Sequence, residues 1–189
     1  AFSNLATTGF IVGWAQNGNP GGTTYAAEIS TFSNFSPVLA SSVTANTQAD
    51  FTGLEVSVRY YARVKAINQN NVSTAYAAAA STYTLANPPT GTQVTSVSIG
   101  TVTLAWSGNG NSASTVYKIA RSLDNSNYEV LAATYSSPAA IAALGPEAAN
   151  YFKVAAENGA GIATSYDSAV STFVPDYTPP TGIPATPAD

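Results

Sequence analysis

The chain has 189 residues with 45% apolar and only 8% charged positions, a formal net charge of −4, and no cysteine, histidine or methionine. These absences exclude disulfides, thiol nucleophiles, imidazole bases and soft metal ligands, so we expect no catalysis, no cofactor and no metal. Six basic residues cannot form the clustered positive field that nucleic-acid binding requires, and no apolar run approaches the roughly 20 residues that membrane insertion requires.

The first predicted element is a strand in which Phe10, Val12 and Trp14 alternate with residues that face solvent. This period of two is typical of a strand with one buried face. A loop rich in Asn and Gly follows over residues 17–23, and Tyr25 lies in the next strand. No Lys-Ser/Thr pair follows the loop and no helix begins there, so the loop lacks the means to cradle a phosphate.

A later strand carries two basic residues, Arg63 and Lys65, on its outer face. Its inner-face residues are Tyr60, Ala62, Val64 and Ala66. The four alanines at residues 77–80 stand among Thr, Ser and Tyr, which favours a strand over a helix there. No segment shows a sustained helical period. About seven short strands separated by Gly, Asn and Pro clusters therefore predict a Greek-key sandwich.

The sequence Asn-Pro-Pro-Thr-Gly at residues 87–91 marks a boundary. Consecutive prolines cannot join a central strand, and Pro88 and Pro89 favour a short, stiff, extended linker. We therefore expect a first domain over residues 1–87 and a second over residues 88–177, standing end to end.

The second domain repeats the first. The sequence FIVGW at residues 10–14 recurs 92 positions later as VTLAW at residues 102–106. The sequence YARVKAIN at residues 61–68 recurs 90 positions later as YFKVAAEN at residues 151–158. A repeat at this period indicates one structural unit used twice.

The two ends of the chain resemble cuts through a longer repeat array. Residues 178–189 begin with Thr-Pro-Pro-Thr-Gly, a second copy of the linker motif, and form a Pro-rich linker or the start of a further repeat. At the other end, Phe2 stands where the second unit already has Val94. Cleavage of a leader before Ala1 is the alternative for that end.

Four marks recur in the same order in both units. They are the second-strand Trp14 and Trp106, the third-strand Tyr25 and Tyr117, the Leu54 and Leu144 that precede the sixth strand, and the Ala-x-Asn that ends it at residues 66–68 and 156–158. In these marks the chain resembles tandem fibronectin type III domains of the kind found in bacterial extracellular repeat arrays. The resemblance covers nearly the whole chain.

This resemblance implies an all-β chain of two tandem seven-stranded, Greek-key, immunoglobulin-like sandwiches. It also implies a non-catalytic role and an extracellular or cell-surface location. In the family, a tyrosine six residues after the leucine caps the turn before the sixth strand through its hydroxyl. Tyr60 matches that tyrosine in the first unit, whereas the second unit has Asn150 at this position.

The core and the linker are the candidate structural sites. The expected core residues are Trp14, Tyr25, Leu54, Tyr60, Val64, Trp106, Tyr117, Leu144, Phe152 and Val154. The expected linker residues are Pro88 and Pro89. Because both tryptophans occupy inward positions of a strand, core packing is favoured over stacking against a sugar ring.

The candidate ligand-binding residues lie in loops and on one sheet face. The loop residues are Asn17, Asn19, Asn70, Asn71, Asn109 and Asn111, and the sheet residues are Tyr61 and Tyr151. Loops of Asn, Gly and Ser provide adaptable hydrogen bonding with few rigid aromatic anchors. Ordinary surface residues are the competing interpretation for all eight positions.

Three functions are compatible with these features. The first is a structural spacer whose partners are the neighbouring domains of the same parent chain. The second is a binding module that recognises a protein or glycan ligand through its loops. The third is a self-associating subunit of a surface filament or sheath, since few charged side chains are present to prevent the strand edges from pairing with another chain. The sequence alone does not choose among them.

Overall fold

A computed structural model describes residues 1–132, 134–145 and 148–175. Every strand pair in this part of the chain is antiparallel, and the fourteen strands fall into two groups of seven. Alternating apolar residues drive this arrangement, because each strand must bury one face against another sheet.

The first sandwich packs a three-stranded sheet of order β1-β2-β5 against a four-stranded sheet of order β4-β3-β6-β7. In chain order its strands are β1 Phe2–Ser3, β2 Gly9–Gly13, β3 Thr24–Ser30, β4 Ala40–Thr44, β5 Gln48–Thr52, β6 Arg59–Ile67 and β7 Ala80–Tyr83.

The second sandwich repeats this topology, with a sheet of order β8-β9-β12 and a sheet of order β11-β10-β13-β14. Its strands are β8 Thr90–Ser98, β9 Thr101–Ser107, β10 Val116–Ser122, β11 Glu129–Val130, β12 Ala139–Ile141, β13 Ala148–Glu157 and β14 Val170–Val174. Strand for strand, the pairing matches that of the first sandwich.

Each core lies between the two sheets of its own sandwich. In the first, Phe10 of β2 stands opposite Phe51 of β5, and its ring lies 5.8 Å from that of Tyr60 in β6. In the second, Leu104 of β9 and Phe152 of β13 are fully buried in one cluster. Burying such a side chain stabilises the fold by about 1.5–3 kcal/mol.

The two tryptophans differ in burial. Trp106 lies within β9 and is only 7% exposed, with its ring 5.5 Å from that of Tyr117. Trp14 follows the end of β2 and is partly buried, 5.6 Å from the ring of Tyr25. The strand pairing beside them also differs, since β8 pairs with β9 as far as Ser107, whereas β1 pairs with β2 at Ile11 and Val12.

The other expected core residues also divide by burial. Tyr25, Leu54, Tyr60, Leu144, Phe152 and Val154 are buried, whereas Val64 and Tyr117 are partly buried against the cores.

Tyr60 and the equivalent residue of the second sandwich, Asn150, form different hydrogen bonds. In the first, the backbone N–H of Glu55 donates to the hydroxyl of buried Tyr60 at 2.9 Å. In the second, Asn150 is fully buried at the equivalent position. Its Oδ1 accepts from Arg121 Nε at 2.6 Å and its Nδ2 donates to the Ala148 carbonyl at 3.0 Å. The Asn150 amide is thus bonded within its own sheet, to Arg121 of β10 and to Ala148 of β13.

The all-β fold class predicted from the sequence is confirmed, with seven strands in each sandwich. The alanine run is only partly a strand. Ala80 begins β7, whereas Ala77 lies ahead of it and its N–H donates to the Val64 carbonyl at 2.8 Å. The predicted linker or further repeat at 178–189 falls outside the described residues.

Candidate functional site at the junction of the two sandwiches

The linker is held by a reciprocal pair of hydrogen bonds from the second sandwich. The N–H of Asn87 donates to Asn111 Oδ1 at 2.7 Å, and Asn111 Nδ2 donates to the Asn87 carbonyl at 2.8 Å. Asn111 lies in the loop between β9 and β10. One side-chain amide therefore forms hydrogen bonds to both the N–H and the carbonyl of one linker residue. These two bonds fix the direction in which the linker leaves the first sandwich.

A second asparagine of the same loop extends this grip. Asn87 Nδ2 donates to the Asn109 carbonyl at 2.9 Å, and Asn109 Nδ2 donates to the Pro88 carbonyl at 3.0 Å. Asn109 has a φ of 52°, in the left-handed region that asparagine tolerates better than most residues. Pro88 is exposed and Pro89 is buried. The prolines restrict the backbone conformation of the linker, and the asparagines hold it in position by hydrogen bonds.

The turn before β6 contacts the second sandwich directly. Ser57 is fully buried, and its carbonyl accepts from the hydroxyl of Ser112 at 2.7 Å. The hydroxyl of Thr115 donates to Ser57 Oγ at 2.8 Å. These bonds join the two sandwiches without passing through the linker.

Asn158, in the turn after β13, supplies the most buried contact of the junction. Its Oδ1 accepts from the N–H groups of Ala160 at 3.1 Å and Ile162 at 3.0 Å, which shapes its own turn. Its Nδ2 donates across the junction to the carbonyl of Thr84 at 3.1 Å. Asn158 is 2% exposed. A buried amide with its groups satisfied in this way specifies one arrangement of the two sandwiches.

Gly159 lets the sandwiches approach closely. A Cβ at this position would overlap the ring of Tyr83, which ends β7 of the first sandwich. Beside it, Leu85, Pro88 and Ile162 line a shallow groove. The junction therefore combines directed hydrogen bonds with one close approach, that of Gly159 to the Tyr83 ring.

The candidate loop residues of the first sandwich lie at its opposite, open end. Asn17 and Asn19 are in the loop between β2 and β3, and Asn70 and Asn71 are in the turn after β6. Asn19 Nδ2 donates to the carbonyl of Gln16 in its own loop at 2.9 Å. The structure thus separates the six candidate asparagines into four at an open end and two, Asn109 and Asn111, at the junction.

The two candidate tyrosines lie on sheet faces away from these loops. Tyr61 in β6 and Tyr151 in β13 are both half-buried. The guanidinium of Arg59 lies 4.9 Å from the centre of the Tyr61 ring. This contact is that of a surface cation with an aromatic neighbour.

A charged cluster on the outer face of β3 and β6 was not predicted. Arg63 contacts Glu28 Oε2 through Nη2 at 2.6 Å and Nε at 2.8 Å, and the hydroxyl of Tyr76 donates to Glu28 Oε1 at 2.6 Å. The Arg63 guanidinium also lies 3.9 Å from the centre of the Tyr76 ring. Burial opposes the charged form of Glu28, but the bonds from Tyr76 and Arg63 outweigh it and hold its pKa below the usual value.

Sequence reasoning also missed Ser57, Thr84 and Asn158 as junction residues. The repeat did contain a signal for one of them, because Asn158 ends the recurring Ala-x-Asn motif. A second signal is that glycine follows Asn158, whereas Gln69 follows the equivalent Asn68. This difference between glycine and glutamine indicates that the turn of the second sandwich is the one that packs closely against its neighbour.

Within the described residues, no group of three or more acidic, histidine or cysteine side chains could hold a metal ion. No helix in that part of the chain is long and apolar enough to cross a membrane.

Comparison with solved structures gives two tandem relatives of this fold. The two-domain fibronectin type III segment of chicken tenascin is 12% identical with a TM-score of 0.55, over 93% of this chain and 97% of that one. The FN1–FN3 domains of chicken CNTN1 are 13% identical with a TM-score of 0.43, over 90% of this chain and 61% of that one.

The chain therefore has the fold of two tandem fibronectin type III domains, and the resemblance noted from the sequence is confirmed at the level of fold. No protein-family model matches the chain, and no curated protein sequence does.

Proposed function

We propose that the chain is a non-catalytic structural spacer in a larger extracellular or cell-surface protein. In this role the two sandwiches act as one rigid unit and set the distance between the domains on either side. The observation that carries the proposal is the junction, where side chains of the second sandwich bond to the linker and to the body of the first. A flexible tether between independent modules has no need of such contacts.

Composition and fold are compatible with the same role. The sequence is rich in hydroxyl and amide side chains and poor in charge, which suits a module without a charged substrate. Many cell-surface domains share this sandwich architecture.

Loop-mediated binding of a protein or glycan is the alternative function. The junction reduces the number of loops that are available to such a ligand. Asn109 and Asn111 contact the linker, so their amides are already engaged. A ligand would have to use the open loops of the first sandwich around Asn17, Asn19, Asn70 and Asn71.

Rotational diffusion measured by ¹⁵N relaxation tests the spacer proposal. Both sandwiches of the native chain are expected to share one rotational correlation time. The double variant Asn111→Ala with Asn158→Asp should separate them into two faster values, because it removes the bonds to Asn87 of the linker and to the Thr84 carbonyl.

The matched control changes the equivalent residues of the first sandwich, Asn19→Ala with Asn68→Asp, and should leave the tumbling unchanged. Independent tumbling of the two native sandwiches would remove the basis for a rigid spacer.

A further inference from the structure

The loops at the open end of the first sandwich have the same backbone geometry as the junction loops of the second. Asn17 has a φ of 55° where Asn109 has 52°, and the following glycines, Gly18 and Gly110, have 73° and 77°. Asn68 shapes its turn as Asn158 does, since its Oδ1 accepts from two backbone N–H groups at 2.9 Å. The two sandwiches therefore share the backbone geometry of the loops that form the junction.

The two sets of loops differ in what they contact. Asn158 is almost fully buried and donates to Thr84 of the first sandwich, whereas Asn68 is exposed. Asn111 Nδ2 donates to the linker, whereas Asn19 Nδ2 turns back to Gln16. The same amides thus have a partner across the junction in one copy and only local partners in the other.

A groove lies at the corresponding place in the first sandwich. It is lined by Asn19, Pro20, Thr23, Asn68 and Val72 among others. The equivalent residues of the second sandwich are Asn111, Ser112, Thr115, Asn158 and Ile162, and they surround the groups of the first sandwich at the junction.

We propose that this groove is a docking face for the C-terminal end of another sandwich of the same kind, with a linker that begins Asn-Pro. Asn19 would hold the linker asparagine as Asn111 does, and Asn68 would donate to the carbonyl at the Thr84 position. This inference rests on the proposed function, because it extends the same junction to a further neighbour.

Two differences define the partner. Pro20 stands where Ser112 bonds to the Ser57 carbonyl, and a proline side chain cannot donate that bond. Gln69 stands where Gly159 makes room for Tyr83, so the incoming sandwich needs a small residue at the Tyr83 position. The docking face therefore selects among sandwich ends.

The register of the first strand gives the connection needed for a test. Ala1 exchanges backbone hydrogen bonds with Gly13, and Gln93 stands opposite Ala105, the residue equivalent to Gly13. Ala1 and Gln93 are thus equivalent. A copy of residues 1–92 joined directly to Ala1 of the full chain reproduces the native spacing.

The test uses this fusion with Tyr83→Ala in the added copy, which is ¹⁵N-labelled by segmental ligation. The measured quantity is hydrogen exchange at the Asn87 amide of the added copy. We expect slow exchange that Asn19→Ala in the receiving sandwich accelerates about five- to tenfold, as loss of one hydrogen bond implies. Asn68→Asp should also accelerate it, because that change keeps the turn-capping oxygen and removes only the donor.

The native Asn87 amide, labelled in a second sample, is the internal control. Asn111→Ala should accelerate its exchange, whereas Asn19→Ala and Asn68→Asp should not. Free exchange at the added Asn87 with a protected native Asn87 would overturn this inference and leave the proposed function intact. Free exchange at both would overturn the inference and the proposed junction together.

Discussion

At the scale of single residues, asparagine side chains form the hydrogen bonds that hold the linker and the Thr84 carbonyl at the junction. The asparagine amide combines one acceptor with two donors, so Asn111 satisfies both backbone groups of Asn87 and Asn158 caps its own turn while it bonds to Thr84. Such residues specify geometry because an unpaired buried amide is costly.

Asn158→Asp tests this role. The change places a carboxylate oxygen against the Thr84 carbonyl at a site that is 2% exposed, so we expect a loss of about 2–3 kcal/mol in the free energy of unfolding. Urea unfolding followed by circular dichroism measures it. Asn68→Asp is the matched control and should change the free energy by less than about 0.5 kcal/mol. Equal effects at the two positions would contradict a buried junction contact.

The tryptophans provide a second comparison. Trp106→Ala removes a side chain buried within β9 and should cost about 3–5 kcal/mol. Trp14→Ala should cost less, since Trp14 is only partly buried beyond the end of β2. Urea titration of each variant gives the two values. The reverse order would show that the tryptophan of the shorter strand is the main anchor.

Glu28 gives the chain a dependence on acid. Because its pKa is lowered in the folded state, its contribution to stability is complete above the unfolded pKa of about 4.3 and is lost as the pH falls through the folded value. Glu28→Gln should flatten the fall in unfolding free energy in that acid range. Thermal unfolding of both proteins between about pH 2 and pH 6 measures the difference. Parallel curves would exclude Glu28 as a source of the acid dependence.

At the scale of strands and turns, the sequence predicted most of the fold because the relevant signals are local. Alternation predicted inward-facing apolar residues in β2 and β9, and the double proline predicted a linker between two domains. The pairing of Glu28 with Arg63 depends on the register between β3 and β6, which no local pattern determines.

The junction could not be predicted for a related reason. Its contacts depend on which turns of two closed sandwiches meet, and the chain separation between partners such as Ser57 and Thr115 gives no hint of proximity. The asparagines were therefore proposed as ligand-binding candidates without an indication that Asn109 and Asn111 contact the linker of the same chain.

Gly159→Ala tests the close approach of the two turns. A Cβ there would overlap the Tyr83 ring, so the ring must shift and the junction should weaken by about 1 kcal/mol. The expected result is faster hydrogen exchange at the Asn87 amide, with unchanged exchange in both cores. Gln69→Ala, at the equivalent turn of the first sandwich, is the control and should have no effect. Unchanged exchange at Asn87 in Gly159→Ala would show that the ring adapts without cost to the junction.

At the scale of the whole molecule, two small cores are joined by contacts that are mainly polar. Each sandwich has its own closed cluster of buried residues, whereas the bonds across the junction come from asparagine, serine and threonine. A polar junction of this kind orients its neighbours without merging their cores, which is what a spacer built from repeated units requires.

Residual dipolar couplings of the native chain test this account most directly. Backbone N–H couplings from the two sandwiches, measured in one weakly aligned sample, report whether both share a single alignment tensor. The junction predicts one tensor of the same magnitude and orientation for both sandwiches. Two tensors of different magnitude would mean that the sandwiches reorient independently, and that the asparagine contacts do not hold them as a rigid unit in solution.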